Sequence, residues 1–127
     1  MLEINKTYHV NCIAGMQQMD DDSVDLVVTS PPYDDLRTYN NSSKWDQNTF
    51  YAVAAQLARV IKPGGVIMWN VNDATIKGSE TGSSFRQALH FMDVCKLRLH
   101  DTMIYEKTGT AFASGVKSVR YTQQFEY

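Results

Sequence analysis

The residues with the clearest chemical use form the run Ser30-Pro31-Pro32-Tyr33, directly after the apolar stretch Val24 to Thr29. Two consecutive prolines fix φ and donate no main-chain hydrogen bonds, so the carbonyls around them are held stiffly and face outward without amide partners. Ser30 adds a hydroxyl acceptor and Tyr33 an aromatic face. A rigid row of acceptors beside a ring suits a planar ligand that carries an amino group, such as a nucleobase. A plainer reading makes Ser30 a strand-end hydroxyl bonded to a nearby amide and the prolines a stiff turn. That reading leaves Tyr33 without a purpose.

Other chemistries find little support. The seven glycines never make G-x-G-x-x-G, and no G-x-x-x-x-G-K-[ST] occurs, which argues against a dinucleotide dehydrogenase or a P-loop enzyme. His9, His90 and His100 are scattered without metal-ligand spacing. Cys12 and Cys95 lack a C-x-x-C partner and read as small buried hydrophobes.

The elements that must position this run alternate along the chain. Thr7 to Ile13 is β-prone, and Ala14 to Met19 could form a helical turn ahead of Asp20, Asp21 and Asp22. Val24 to Thr29 is a continuous apolar strand of the kind buried on both faces. Phe50, Val53, Ala54, Leu57, Val60 and Ile61 recur at helical spacing, which predicts a helix with one apolar stripe. Asp46 is its expected N-cap, with Trp45 and Phe50 placed as a hydrophobic staple. Lys62-Pro63-Gly64-Gly65 should stop it.

Val66 to Val71 then reads as a second buried strand, Gly78 to Ser83 as a loop, and Phe85 to Met92 as a helix opened by a Ser84/Gln87 capping box. Leu97 to Glu106 reads as a third strand. Strands separated by helices imply right-handed crossovers and a mostly parallel sheet with flanking helices. Such sheets bind ligands beyond the carboxyl ends of their strands, which is where Ser30 to Tyr33 and Asn70 to Asp73 would sit.

Composition bounds the class. At 127 residues with 43% hydrophobic content, the chain suits one domain with a single core. No apolar run reaches the roughly 18 residues of a membrane helix, and the N-terminus lacks the features of a secretory signal. With two cysteines and no disulfide framework, a cytoplasmic protein is expected. Net charge of −2 argues against a surface that is basic throughout. The charge is uneven, however: residues 1–46 hold eight acids against three bases, and residues 47–127 hold six acids against nine bases.

Three segments carry a resemblance to a family: NCIAGMQQMDDDSVDLVVTSPPY, LARVIKPGGVIMWNVND and MIYEKTGTAF. In this order and spacing the chain resembles the DNA amino-methyltransferases, which methylate the exocyclic nitrogen of cytosine or adenine using S-adenosylmethionine. It looks like the group whose catalytic motif precedes the cofactor motif. The family's S/D/N-P-P-Y/F motif matches Ser30, Pro31, Pro32 and Tyr33, and Ser23 to Leu26 match the preceding S-V-D-L.

The resemblance implies a partial Rossmann-like class I methyltransferase fold of α/β type, with residues 1–127 as a single incomplete catalytic domain. It implies Ser30 and Pro31 as acceptors for a base amino group and Tyr33 as a stacking face, with Ser30 favouring N4-cytosine over N6-adenine. It also implies Asn11, where many relatives carry an acid, and Ser30 as cofactor contacts. A flipped base requires DNA, for which Arg37, Lys44, Lys77, Lys117 and Arg120 are candidate phosphate contacts. No F-x-G-S-G-T turn for the methionine part of the cofactor occurs. The sequence therefore reads as the N-terminal part of such an enzyme, lacking the strands of the main cofactor-binding half and inactive alone. The alternative is a catalytically silent remnant that binds DNA or protein. In either case the missing strands leave an open sheet edge, which would favour a homo-oligomer.

Overall fold

The computed structural model describes residues 2–33, 45–106 and 125–126. Its centre is a strand, helix, strand unit. Strand β1 (Val24–Thr29) leads to helix α2 (Gln47–Val60), which runs directly into β2 (Ile61–Trp69). β1 and β2 pair in parallel, with Leu26 opposite Val66 and Thr29 opposite Trp69. A short helix, α1 (Cys12–Met16), precedes them.

Helix α2 forms for local reasons. Asp46 Oδ1 accepts from the Thr49 amide at 2.8 Å, and the Trp45 and Phe50 rings meet edge to face at 6.4 Å, so cap and staple are both present. The stripe Phe50, Val53, Ala54, Leu57 and Val60 is buried. The helix ends at Val60, two residues short of Lys62, which Pro63 bars from helical geometry. Ile61 is already extended and pairs with Val24.

Between Ile61 and Val66 the register slips, and Lys62 to Gly65 bulge out of the ladder. Gly64 takes φ +83° there, a backbone that side chains resist. Gly65 is needed for space: a Cβ on it would lie 2.9 Å from Ile61 Cγ1 and 3.0 Å from the Asp25 carbonyl oxygen.

The single turn of α1 is held from both ends. Asn11 Oδ1 accepts from the Ile13 and Ala14 amides at 3.0 and 3.4 Å. At the other end the Arg59 guanidinium, from the last turn of α2, donates to the carbonyls of Met16 and Met19 at 2.6 and 2.9 Å and pairs with Asp21.

Beyond β2, a small hairpin joins β3 (Thr75–Ile76) to β4 (Ser79–Glu80). Its turn residues Lys77 and Gly78 both have positive φ, the geometry of a type I′ turn. Helix α3 (Ser83–Asp93) follows, and β5 (Tyr105–Glu106) pairs antiparallel with β6 (Phe125–Glu126). Among the described residues, no helix is long and apolar enough to cross a membrane.

Four expectations are corrected. Thr7 to Ile13 is not a strand: residues 7–11 are irregular and the helix starts at Cys12, because the Asn11 cap acts locally while a strand needs a partner. Of Leu97 to Glu106 only Tyr105 and Glu106 pair. The β1–β2 sheet is covered on one face only: Leu26, Val28, Val66 and Met68 are 57%, 65%, 50% and 39% exposed, with no described layer over them. Cys12 is exposed rather than buried.

Candidate functional site

The two loops expected to hold ligand emerge side by side. Ser30 to Tyr33 follow the carboxyl end of β1, and Asn70 to Asp73 follow that of β2, which the parallel pairing of Thr29 with Trp69 places next to each other. The Asn70 amide donates to the Thr29 carbonyl at 3.0 Å and extends the ladder by one bond.

Within the first loop, Pro31 and Tyr33 are buried while Ser30 is exposed. The Ser30 and Tyr33 hydroxyls share a hydrogen bond of 3.0 Å. A hydroxyl has one proton and two lone pairs. Whichever hydroxyl supplies the shared proton, Ser30 Oγ keeps at least one lone pair for an incoming donor. The Tyr33 ring, 9% exposed, is not presented as a stacking face. Two half-buried tryptophans offer aromatic surface instead: Trp45 and Trp69, with ring centroids 6.5 Å apart, both line the cavity that Ser30, Pro31 and Pro32 border.

The second loop is fixed from behind. Asp73, buried, accepts from the Ser84 amide at 2.7 Å and from the Ser84 hydroxyl at 2.8 Å. Asn72 Oδ1 accepts from the Asp73 amide at 3.0 Å. One strand residue is tied to the same helix, since Trp69 Nε1 donates to Gln87 Oε1 at 2.9 Å. Ser84 and Gln87 therefore do not form the expected capping box. The N-cap of α3 is Gly82, which has no side chain to offer, and Asp73 caps the helix from eleven residues away.

An aromatic cluster locks this arrangement. Phe50 of α2 meets Trp69, Phe91 and His90 at 5.8, 5.5 and 5.2 Å, and Tyr51 stacks on His90 at 4.3 Å. Such pairs contribute about 0.5 to 1.5 kcal/mol each beyond the area they bury. They hold α2 and α3 on the covered side of the sheet, so the loop ends stay adjacent.

The remaining candidates are dispersed. Asn11 has its amide oxygen engaged in capping α1, so the acceptor expected for a cofactor is already used. Lys77 is exposed at the tip of the β3–β4 hairpin. Arg37, Lys44, Lys117 and Arg120 lie outside the described residues. The sequence reading missed Trp45 and Trp69 as cavity walls and Asp73 as the cap of α3. Only for Asp73 was there a signal, a carboxylate just past a strand and ahead of a serine.

A family model described as DNA methylase matches residues 24–127. The chain is 53% identical over 111 residues to the orphan methyltransferase M.BamHII of Bacillus amyloliquefaciens, covering 87% of this chain and 39% of that protein. It is 38% identical over 74 residues to the type II methyltransferase M.BglII of Bacillus subtilis, covering 54% of this chain and 19% of that one. In structure it resembles the PvuII DNA methyltransferase (cytosine-N4-specific), with a TM-score of 0.74 at 19% identity over 94% of this chain and 45% of that chain. The fold is thus a partial α/β methyltransferase fold, and the chain spans less than half the length of each of these relatives.

Proposed function

The chain belongs to the DNA methylase family, and from that premise we propose that residues 1–127 form one incomplete catalytic domain. Completed by the remainder of the fold, it transfers methyl from S-adenosylmethionine to the exocyclic amino group of a flipped DNA base in the cytoplasm. N4 of cytosine is preferred to N6 of adenine. One observation carries the reading: Ser30 stands exposed at the carboxyl end of β1 with its hydroxyl 3.0 Å from Tyr33 Oη. The likeness to the cytosine-N4-specific PvuII methyltransferase favours the same base.

The chemistry asked of these residues is modest. A base amino nitrogen is a poor nucleophile because its lone pair is delocalised into the ring. Acceptors on both N–H bonds favour the pyramidal form, and Ser30 Oγ and the Pro31 carbonyl are the acceptors proposed here. They also stabilise the positive charge that develops on nitrogen. A base in a stacked duplex is out of reach, so it must be flipped. Tyr33 positions Ser30 through its hydroxyl, and Trp45 or Trp69 supplies the stacking face, worth about 1 to 3 kcal/mol per base. Arg37, Lys44, Lys77, Lys117 and Arg120 are assigned to phosphates.

S-adenosylmethionine supplies the methyl carbon in this family. The described residues do not make a site for it unaided. The cavity beside Ser30 is walled by methionine, valine and proline side chains, and among the described residues its lining contains no carboxylate for ribose hydroxyls or an ammonium group. Asn11, next to the cavity residue Cys12, and Ser30 are the chain's own contributions to that site.

The test is expression in a methylation-free host of this chain joined to the remaining length of the Bacillus amyloliquefaciens relative, with mass spectrometry of DNA nucleosides. N4-methylcytosine that disappears in Ser30→Ala is expected. N6-methyladenine overturns the base preference, and unmethylated DNA overturns the catalytic reading. The lack of a carboxylate among the described residues of the cavity lining favours one second reading, a silent module that binds DNA or a protein. The methylation assay of the joined protein separates the two, since methylated DNA excludes the silent module.

A further inference from the structure

The cavity beside Ser30 has a neighbour. A second cavity, of about 260 Å³, lies between the start of α2 and the start of α3. Trp45, Phe50 and Tyr51 line it from the α2 side, and Ser83, Arg86 and Gln87 from the α3 side. Trp45 lines the cavity beside Ser30 as well, so one indole borders both spaces. A hydrogen bond makes a second link: Gln87, buried in the outer lining, accepts from Nε1 of Trp69, which lines the inner cavity. The two cavities adjoin, with Trp45 and the bonded Trp69 and Gln87 as their common wall.

Unlike the inner cavity, the outer one carries a cation among its described lining residues. Arg86 is exposed, its guanidinium donates to the Thr81 carbonyl, and among the described residues it has no carboxylate partner. A guanidinium has five N–H donors, so most remain for a ligand. The one carboxylate among the described lining residues, Asp46, accepts from the Thr49 amide and hydroxyl at 2.8 and 2.9 Å. Its negative charge is thus set against the positive end of α2. We propose that the outer cavity holds the nucleotide next to the flipped base, with its phosphate on Arg86 and its base against Trp45. The inference rests on the methylase reading above and adds Arg86 to the phosphate contacts. A flipped base stays covalently joined to its neighbours, so a space adjoining the base site meets the next nucleotide whatever the sequence. The planar fork of arginine matches two phosphate oxygens, and an aromatic ring accepts any base because every base has a π-face. The tryptophans then divide their work: Trp69, lining the inner cavity, stacks on the flipped base, and Trp45 stands between that base and its neighbour.

An acidic protein segment fits less well. It would satisfy Arg86, but it has no use for an aromatic wall shared with the cavity at Ser30.

The experiment uses the joined protein of the methylation assay and a fluorescein-labelled duplex with one mismatched cytosine, since a mispaired base is the cheapest to flip. Arg86→Gln should weaken binding roughly tenfold, as expected for one charge-assisted contact. It should also make the slope of log affinity against log salt shallower by about 0.9, the share of one phosphate. Arg86→Lys should keep the slope, and the melting of Arg86→Gln should match the parent because Arg86 is exposed. A 5-iodouracil placed directly beside the mismatched cytosine should photocross-link to Trp45 or Tyr51, located by peptide mass spectrometry. Unchanged affinity and slope in Arg86→Gln, or cross-links confined to other residues, overturns the proposal. So does a poly-glutamate peptide whose binding alone depends on Arg86, which assigns the cavity to a protein partner. Arg86-dependent binding and the expected cross-links without DNA methylation uphold the subsite and overturn the catalytic reading instead, so the two can fail separately.

Discussion

Asp73→Ala should unfasten the loop after β2 from α3, and its cost can be worked from the contacts removed. One carboxylate oxygen accepts the Ser84 amide and the other accepts the Ser84 hydroxyl, at 2.7 and 2.8 Å, in a buried setting. Losing the first is the loss of a helix cap, about 1 kcal/mol. Losing the second leaves a buried hydroxyl without an acceptor, about 2 kcal/mol. Together the change should destabilise the chain by about 3 kcal/mol, and a urea titration at unchanged slope reads that directly.

A second substitution isolates the mechanism. Ser84→Ala alone removes one hydrogen bond but keeps the amide cap, costing about 1 kcal/mol. In the Asp73→Ala background it removes the orphaned hydroxyl and should restore about 1 kcal/mol, so its sign reverses. If Ser84→Ala costs the same in both backgrounds, Asp73 does not cap α3 in the way described.

The two glycines of the bulge should answer differently to one chemistry. Gly64→Ala meets open space but holds φ +83°, costing about 1 to 2 kcal/mol, and Gly64→Asn should recover part of that because asparagine tolerates this region. Gly65→Ala forces its Cβ against Ile61 and the Asp25 carbonyl, costing about 1 to 3 kcal/mol by overpacking, and asparagine there recovers nothing; thermal melts of the four variants check the contrast. The cysteines should separate in alkylation. Burial pushes the Cys95 thiol above its ordinary pKa, so less of it is thiolate near neutrality. Iodoacetamide at neutral pH should modify exposed Cys12 first, and the Cys95 rate should keep climbing as pH rises beyond the ordinary thiol range; peptide mass spectrometry that finds equal rates refutes this.

What the sequence made legible was whatever is decided within a few residues. Asp46, Trp45 and the stripe from Phe50 to Val60 fix α2 by contacts within the helix and its first turn, and all were readable. Ser30 to Tyr33 were readable as a strand-end loop because an apolar run of strand length stops there. The errors lie where a distant partner decides. Ser84 and Gln87 have the spacing of a local capping box, but Asp73 and Trp69 claim them across a loop. Thr7 to Ile13 have β-prone side chains, and Asn11 starts a helix inside that run because no strand among the described residues pairs with it. Val24 to Thr29 look like a strand buried on both faces, and propensity cannot say whether a second layer is there to bury it.

Helix α1 is one turn long, far below the length at which a helix sustains itself in water. Its far end is held by one side chain, Arg59, which reaches it from α2. In energetic terms α1 is a bound peptide that happens to be covalently attached, and it can dissociate from its clamp without unfolding α2 or the β1–β2 pair. The N-terminal region should therefore behave as a separate, low-stability cooperative unit. A protease should clip it under native conditions, and Arg59→Met should hasten that cleavage while leaving the global melt nearly where it was.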